Sequence, residues 1–245
     1  MHWAMRRQLA FFFSALALLG LIALGVWYFF VYAPPSCFDG IQNNSEAGVD
    51  CDGSCTLLCR VPRTDAVWSR VLRVAPGVYH GVAKIKNPES LAKVDGLSYS
   101  FSFFDAKNIL VAVRKGELTL HPGETRTIFE QSVTAPERVP VRAFVEVTGG
   151  VWNKAETPEP RVRIVRQEPY TNQRLDAEIE NLTADPVLNT TIYALLYNDR
   201  GIVIGVSKTL IDVLAPREQR PVTFTWIEPF TDSVERADVE IVEAP

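Results

Sequence analysis

Histidine is scarce in this chain, with three in 245 residues, at positions 2, 80 and 121. That removes the commonest general base and the commonest nitrogen ligand from most of the sequence. No G-x-S-x-G, H-E-x-x-H or phosphate-loop motif occurs. His80 and His121 fall at a strand start and a turn, with no nucleophile motif near either, so both are read as turn residues. Basic residues are in deficit: 25 Lys and Arg stand against 29 Asp and Glu, for a net charge of −4. Without a basic stripe, nucleic acid is excluded as a partner. Cysteine is absent from everything after Cys59. Whatever folds there must rest on its own apolar core.

Charge is also missing from residues 9–33, LAFFFSALALLGLIALGVWYFFVYA. A bilayer core takes about 20 such residues in a helix. The run is longer than the h-region of a signal peptide, and no A-x-A site follows it, so the expectation is an uncleaved transmembrane helix. Arg6 and Arg7 precede it, and Asp39, Glu46, Asp50 and Asp52 follow. The positive-inside rule then puts residues 1–8 in the cytoplasm and residues 34–245 outside it, at the cell surface or in the periplasm. Trp27, Tyr28 and Tyr32 sit at the outer end, where amphipathic rings favour the interface. Pro34 and Pro35 stop the helix.

All four cysteines, Cys37, Cys51, Cys55 and Cys59, crowd into the juxtamembrane stretch, residues 34–62. An even number in a short extracytoplasmic segment reads as two disulfides, with three pairings open. The C-x2-C pairs of a zinc site are missing. Asp39, Asn43, Glu46, Asp50 and Asp52 lie among Gly40, Gly48 and Gly53. These oxygen ligands on a glycine-rich loop make calcium a candidate, although the spacing departs from an EF-hand and Asp, Asn and Gly also form turns. The string from Cys37 through Asp39-Gly40-Ile41, Asn43, Glu46, Gly48-Val49-Asp50-Cys51, Gly53 and Cys55 to Cys59 resembles a short module of bacterial surface proteins. That module usually reads DCGG where this chain has Asp50-Cys51-Asp52-Gly53. The resemblance implies an exported bacterial protein.

From residue 67 the pattern becomes short β-like runs at 67–74, 78–87, 97–105, 109–114, 117–120, 125–133 and 141–148. Tyr99, Phe101 and Phe103 alternate with Ser98, Ser100 and Ser102, the period of a half-buried strand. Seven strands with turn signals between them predict an immunoglobulin-like β-sandwich over residues 63–150. The second half repeats the first. A shift of 94 positions carries Ala83-Ile85-Asn87 onto Ala177-Ile179-Asn181, Tyr99 onto Tyr193, Phe103 onto Tyr197 and Asp105 onto Asp199. It also carries Leu120-Pro122-Glu124-Arg126 onto Leu214-Pro216-Glu218-Arg220. Two copies of one fold are therefore expected, the second over residues 161–245 after a linker at 151–160.

The stretch from Thr191 to Gly201, with Val203-Ile204-Gly205 and Leu214-Ala215-Pro216-Arg217-Glu218, resembles the FxLYD domain. Tyr193-Ala194-Leu195-Leu196-Tyr197-Asn198-Asp199 has one residue more than the motif before its acid. The first copy reads Phe101-Ser102-Phe103-Phe104-Asp105, then Leu120-His121-Pro122-Gly123-Glu124. The resemblance implies extracytoplasmic sandwiches without catalysis. Asp105 and Asp199, at matched hairpins, are read as structural turn residues. Trp68, Trp152 and Trp226 are candidate sugar platforms, with packing the commoner role. The fold expectation is mainly β: one N-terminal transmembrane helix and two tandem immunoglobulin-like sandwiches. The functional expectation is a non-enzymatic, membrane-anchored cell-envelope protein that binds an envelope protein partner or acts as a scaffold. The alternative is an accessory carbohydrate-binding subunit of an envelope enzyme system. No cofactor is expected apart from the calcium candidate.

Overall fold

The computed structural model describes residues 2–30, 36–43, 45–135 and 138–243. Tyr32, Pro34-Pro35 and the expected turn at Pro136 lie outside the described residues. The chain forms two compact units, Met1–Cys55 and Thr56–Pro245.

In the first unit, α1 spans His2–Phe30. Its stretch Met5–Phe29 has a mean hydropathy of 2.5, and none of its most apolar window is buried. Twenty-five residues at 1.5 Å rise give about 37 Å, more than the ~30 Å hydrocarbon core. The helix is therefore long and apolar enough to cross a membrane. Beyond it, residues 36–43 and 45–55 form a knob of turns. Cys37 and Cys55 are joined, with Cα atoms 5.6 Å apart. Cys51 and Cys59 are disulfide-bonded as well, and none of the four is free.

The second unit is mainly β, as expected. Its twelve strands are β1 (Ala66–Ala75), β2 (Val78–Lys86), β3 (Ala92–Phe104), β4 (Leu110–Leu120), β5 (Thr125–Thr134), β6 (Arg142–Lys154), β7 (Val162–Gln167), β8 (Arg174–Asn181), β9 (Val187–Tyr197), β10 (Val203–Leu214), β11 (Gln219–Thr225) and β12 (Arg236–Val242). They form four antiparallel three-stranded sheets, β1-β2-β5 and β4-β3-β6, then β11-β8-β7 and β10-β9-β12. The second set repeats the first strand for strand. Inward faces of the first pair bury Ala83, Ile85, Phe101, Phe103, Leu120, Val145 and Trp152. Those of the second pair bury Leu175, Ala177, Ile179, Ile192, Ala194, Leu214 and Phe224.

Each copy has six strands where the sequence suggested about seven in the first. The expected runs at 109–114 and 117–120 are one strand. Gly116, between the two runs, lies under the Tyr99 ring, where any Cβ would collide with the phenol. It permits a close approach and makes no turn. Gly149-Gly150 also fails to end its strand. Both take positive φ, 75° and 83°, and the β3–β6 ladder runs through them to Lys154. Residues 151–154 of the expected linker thus belong to β6, and Trp152 is 2% exposed in the first core. Residues 56–58, assigned by sequence to the juxtamembrane module, also join this sheet. Leu58 N–H donates to Trp152 O at 2.9 Å, and Lys154 N–H to Thr56 O at 2.7 Å.

The two sandwiches share a third apolar cluster. Leu72 and Val82 from β1-β2-β5 meet Tyr193, Leu195, Tyr197, Val203 and Val206 from β10-β9-β12, with Trp68, Phe129 and Val242 packed around them. These side chains point away from both internal cores, so the inner sheets of the two copies are covered on both faces.

The gapless repeat fails at this point. Phe103 pairs with Ala112 on β4, and Leu196 pairs with Gly205 on β10. The shift that superposes these ladders is 93, one less than the sequence suggested. Phe103 therefore corresponds to Leu196, and Tyr99 to Ile192. Because strand side chains alternate faces, the matches Tyr99–Tyr193 and Phe103–Tyr197 joined core residues of one copy to seam residues of the other.

Candidate functional site

The acidic residues of the knob serve its backbone. Asp39 Oδ1 accepts from Ile41 N–H at 2.9 Å, and its Oδ2 from Ser36 N–H at 3.1 Å and Asn43 Nδ2 at 2.8 Å. The Asn43 bond, the largest cause, and the backbone bonds hold the Asp39 carboxyl below its ordinary value. Asp50 takes Asp39 N–H at 3.1 Å and Gly40 N–H at 2.9 Å. Buried Glu46 takes Asn43 N–H and Asp50 N–H on Oε2, at 3.3 and 3.2 Å. Its Oε1 lies 3.1 Å from Cys55 Sγ, a disulfide sulfur without a proton to donate. Cys37, Glu46 and Cys55 thus come within metal-ligand range of one another, but two of the three are consumed in the disulfide. Asp52 sits at positive φ, 55°. Of the calcium candidates Asp39, Asn43, Glu46, Asp50 and Asp52, the first four are gathered into one turn network in which the carboxylates already accept N–H bonds. Asn43 Oδ1 is buried without a hydrogen-bond partner among the described residues.

The hairpin residues are also structural. Asp105 Oδ1 accepts from Lys107 N–H at 2.9 Å and Ile109 N–H at 2.8 Å, and Oδ2 takes Arg138 at 3.1 Å. The bond from Ile109, first among its causes, lowers the Asp105 carboxyl. In the second copy the equivalent is Asn198, which accepts from Arg200 N–H at 3.1 Å and Ile202 N–H at 2.9 Å. Asp199, the expected turn residue, is exposed and faces the Arg200 side chain at 3.8 Å. The one-residue offset of β9 explains the difference. Asn198 occupies the position of the acid, which accounts for the extra residue in the second motif.

Sequence reasoning matched two further repeated devices without assigning them roles. Asn87 and Asn181 are both fully buried. Asn87 Nδ2 donates to Ala92 O and His121 O at 2.7 and 2.8 Å, and Asn181 Nδ2 to Asp185 O, Leu214 O and Ala215 O at 2.8, 3.1 and 3.0 Å. Glu124 takes His121 N–H and Arg126 Nε, both at 2.7 Å, and Glu218 takes Ala215 N–H and Arg220 Nε, both at 2.7 Å. A buried Asn and a turn Glu conserved between the copies were the available signals.

Across the seam, Lys84 of β2 is ion-paired with Glu240 of β12, whose other oxygen accepts from Thr127 Oγ1 at 2.6 Å. Burial works against the Lys84 charge, but the hydrogen bond and the charge of Glu240 outweigh it and raise its pKa. His80 fills a bulge of β5, where its Nδ1 lies 3.1 Å from Ser132 N and 3.2 Å from Tyr79 O, and the bond from Ser132 N–H forms when Nδ1 carries no proton. Burial pushes the His80 pKa down. His121 lies in the turn capped by Glu124, and the side chain of His2 is outside the described residues. Trp68 packs on the seam, Trp152 in the first core and Trp226 against the second, the packing role that the sequence reading gave as the commoner one, and Trp226 also lines the groove at the end of the seam.

One groove stands out among the described residues, of about 550 Å³, at the end of the seam. It is lined by the consecutive residues Val71, Leu72, Arg73 and Val74 of β1 and by Val203 through Lys208 of β10. His80, Phe129 and Gln131 supply another wall, and residues 225–232 close it. There Trp226 and Phe230 pack so tightly on Gly205 that no Cβ fits.

No protein-family model matches the chain, and no curated protein matches it. Among solved structures, the crystal structure of red sea bream transglutaminase aligns over 75% of this chain and 31% of that one, at 14% identity and a TM-score of 0.22. This chain therefore spans about a third of the length of that protein, and the likeness carries no functional argument.

Proposed function

We propose that this chain is a membrane-anchored protein of the bacterial cell envelope whose paired sandwiches bind or scaffold a protein partner outside the cytoplasm, without catalysis. The helix is the anchor, residues 1–8 lie in the cytoplasm, and the knob and sandwiches lie outside it. The carrying observation is the order of parts. An apolar helix able to span a bilayer is followed by a disulfide-bonded knob, and disulfides persist in oxidising compartments. The knob acids that sequence raised as calcium candidates, and Asp105 and His80, which it read as turn residues, have structural partners. The resemblances to FxLYD domains and to the cysteine module support the same compartment.

Protease added to intact spheroplasts tests the topology. It should digest the sandwiches and leave a small membrane-embedded fragment; full protection, or a soluble mature chain, would overturn it. Chemical crosslinking in the envelope followed by isolation of the full chain should give a discrete protein adduct. Capture of the chain by a glycan array, with no such adduct, would replace this reading with the carbohydrate-binding one.

A further inference from the structure

The groove beside the seam has two features that set its ligand class. First, its lining includes unbroken runs of backbone. Residues on one face of a strand line a cavity at every second position; here Val203 through Lys208 all do, as do Val71 through Val74. The strands therefore turn an edge toward the groove. Among the described residues both edges are unpaired, since β10 pairs only with β9 and β1 only with β2. Six residues of β10 offer about 20 Å of edge at 3.3 Å per residue. Second, the unpaired charges of the lining, Arg73 and Lys208 against Glu228, sum to a positive net charge. Arg73 and Lys208 are exposed and enter no ion pair among the described residues. Of the two acids, Asp232 is neutralised by Arg200 at 3.1 Å and held by Asn198 at 2.8 Å, which leaves Glu228 alone. The apolar members, Leu72, Val203, Val206 and Phe129, belong to the seam and give alternate side chains of an added strand a surface to cover.

We propose that an extended, acidic peptide segment of a partner protein docks in this groove by adding as a strand to the free edge of β10. Main-chain hydrogen bonds supply the attachment, and Arg73 and Lys208 select acidic side chains. The proposal deepens the protein-binding function above and rests on it.

The test uses the full chain in detergent micelles and fluorescent peptides of about eight residues alternating Val with Glu. At low salt the acidic peptide should bind about tenfold tighter than its Val-Lys counterpart. N-methylation of alternate amides should weaken binding about tenfold in one register and leave it unchanged in the other, because only one side of an added strand meets β10. The double variant Arg73→Glu, Lys208→Glu should reverse the charge preference with its thermal melting unchanged. Equal binding of both peptides, insensitivity to both methylation patterns, or no binding up to millimolar concentration would refute the proposal. So would a dimer of the full chain that Lys208→Glu dissolves, since a second copy would then own the edge. If the envelope adduct forms undiminished with the double variant, the groove fails as its site and the partner-binding function stands. If no adduct forms with the parent chain, the broader function fails.

Discussion

Leu195→Ala probes whether the two sandwiches are one cooperative body. Leu195 is fully buried, yet it belongs to neither internal core. Its neighbours are seam residues from both copies, Leu72 and Val82 on one side and Tyr193 and Tyr197 on its own sheet. A fully buried Leu→Ala change costs about 2–5 kcal/mol, the transfer free energy of the lost carbons plus the cavity left behind. For a body of the size of residues 56–245, 1 kcal/mol corresponds to about 2–4 °C in Tm. A cost of about 3 kcal/mol therefore lowers Tm by about 6–12 °C. Calorimetry of the full chain should show one endotherm for the β unit, displaced as a whole. Amide exchange should accelerate in β3, none of whose residues belongs to the seam cluster, as much as in β9. Two resolved endotherms with only one displaced, and unchanged exchange at Phe101 and Phe103, would refute the reasoning and make the sandwiches independent domains in contact.

Asn87→Ala and Asn181→Ala each remove the amide donor from backbone carbonyls, two in the first copy and three in the second, with one bond in each set fully buried, and should cost about 3 kcal/mol in urea unfolding with the slope unchanged. Asp105, Glu218 and Asp232 all have carboxyls held below their ordinary values, by bonds from Ile109, Ala215 and Asn198 first. A carboxylate lowered on folding stabilises above its unfolded pKa, so Tm should be level above about pH 4.5 and fall as acid titrates these groups below pH 3.8; a flat profile down to pH 3 would contradict the capping roles. All four cysteines should resist alkylation until reduced. Reduction should leave the main calorimetric transition in place, because no disulfide lies within the cores of the sandwiches.

The sequence carried the strand pattern and the repeat because both depend on local signals. Tyr99-Ser100-Phe101-Ser102-Phe103 alternates, and the turn Glu and buried Asn recur in each copy. The boundaries suffered where a residue type has two meanings. Gly149-Gly150 read as a turn signal, yet it lets a ladder continue at positive φ, and Gly116, in the gap between the runs at 109–114 and 117–120, permits an aromatic ring to approach within one strand. In the knob, acids at turn glycines read equally well as cation ligands or as N–H caps. Only their partners distinguish the two.

The register error in β9 shows where a different signal was available. Matching Tyr99 to Tyr193 maximised identity, but a one-residue slip inverts both faces of a strand. The first copy has serine at 98, 100 and 102 of β3, alternating with the apolar Leu97, Tyr99, Phe101 and Phe103. The second reads Ile192-Tyr193-Ala194-Leu195-Leu196-Tyr197, with no polar residue at either parity, and each is buried. Loss of alternation in an antiparallel strand means that both of its faces are covered. One face lies on the core of its own sandwich, so the other needs a partner surface, and β2 provides it. Val82 and Lys84 alternate with inward Ala83 and Ile85, and Val82 is fully buried. The unbroken apolar run in one copy and the outward valine in the other are thus two halves of one feature. Stacking of the sandwiches follows from it, and with the stacking comes the groove where the edges of β1 and β10 are left unpaired.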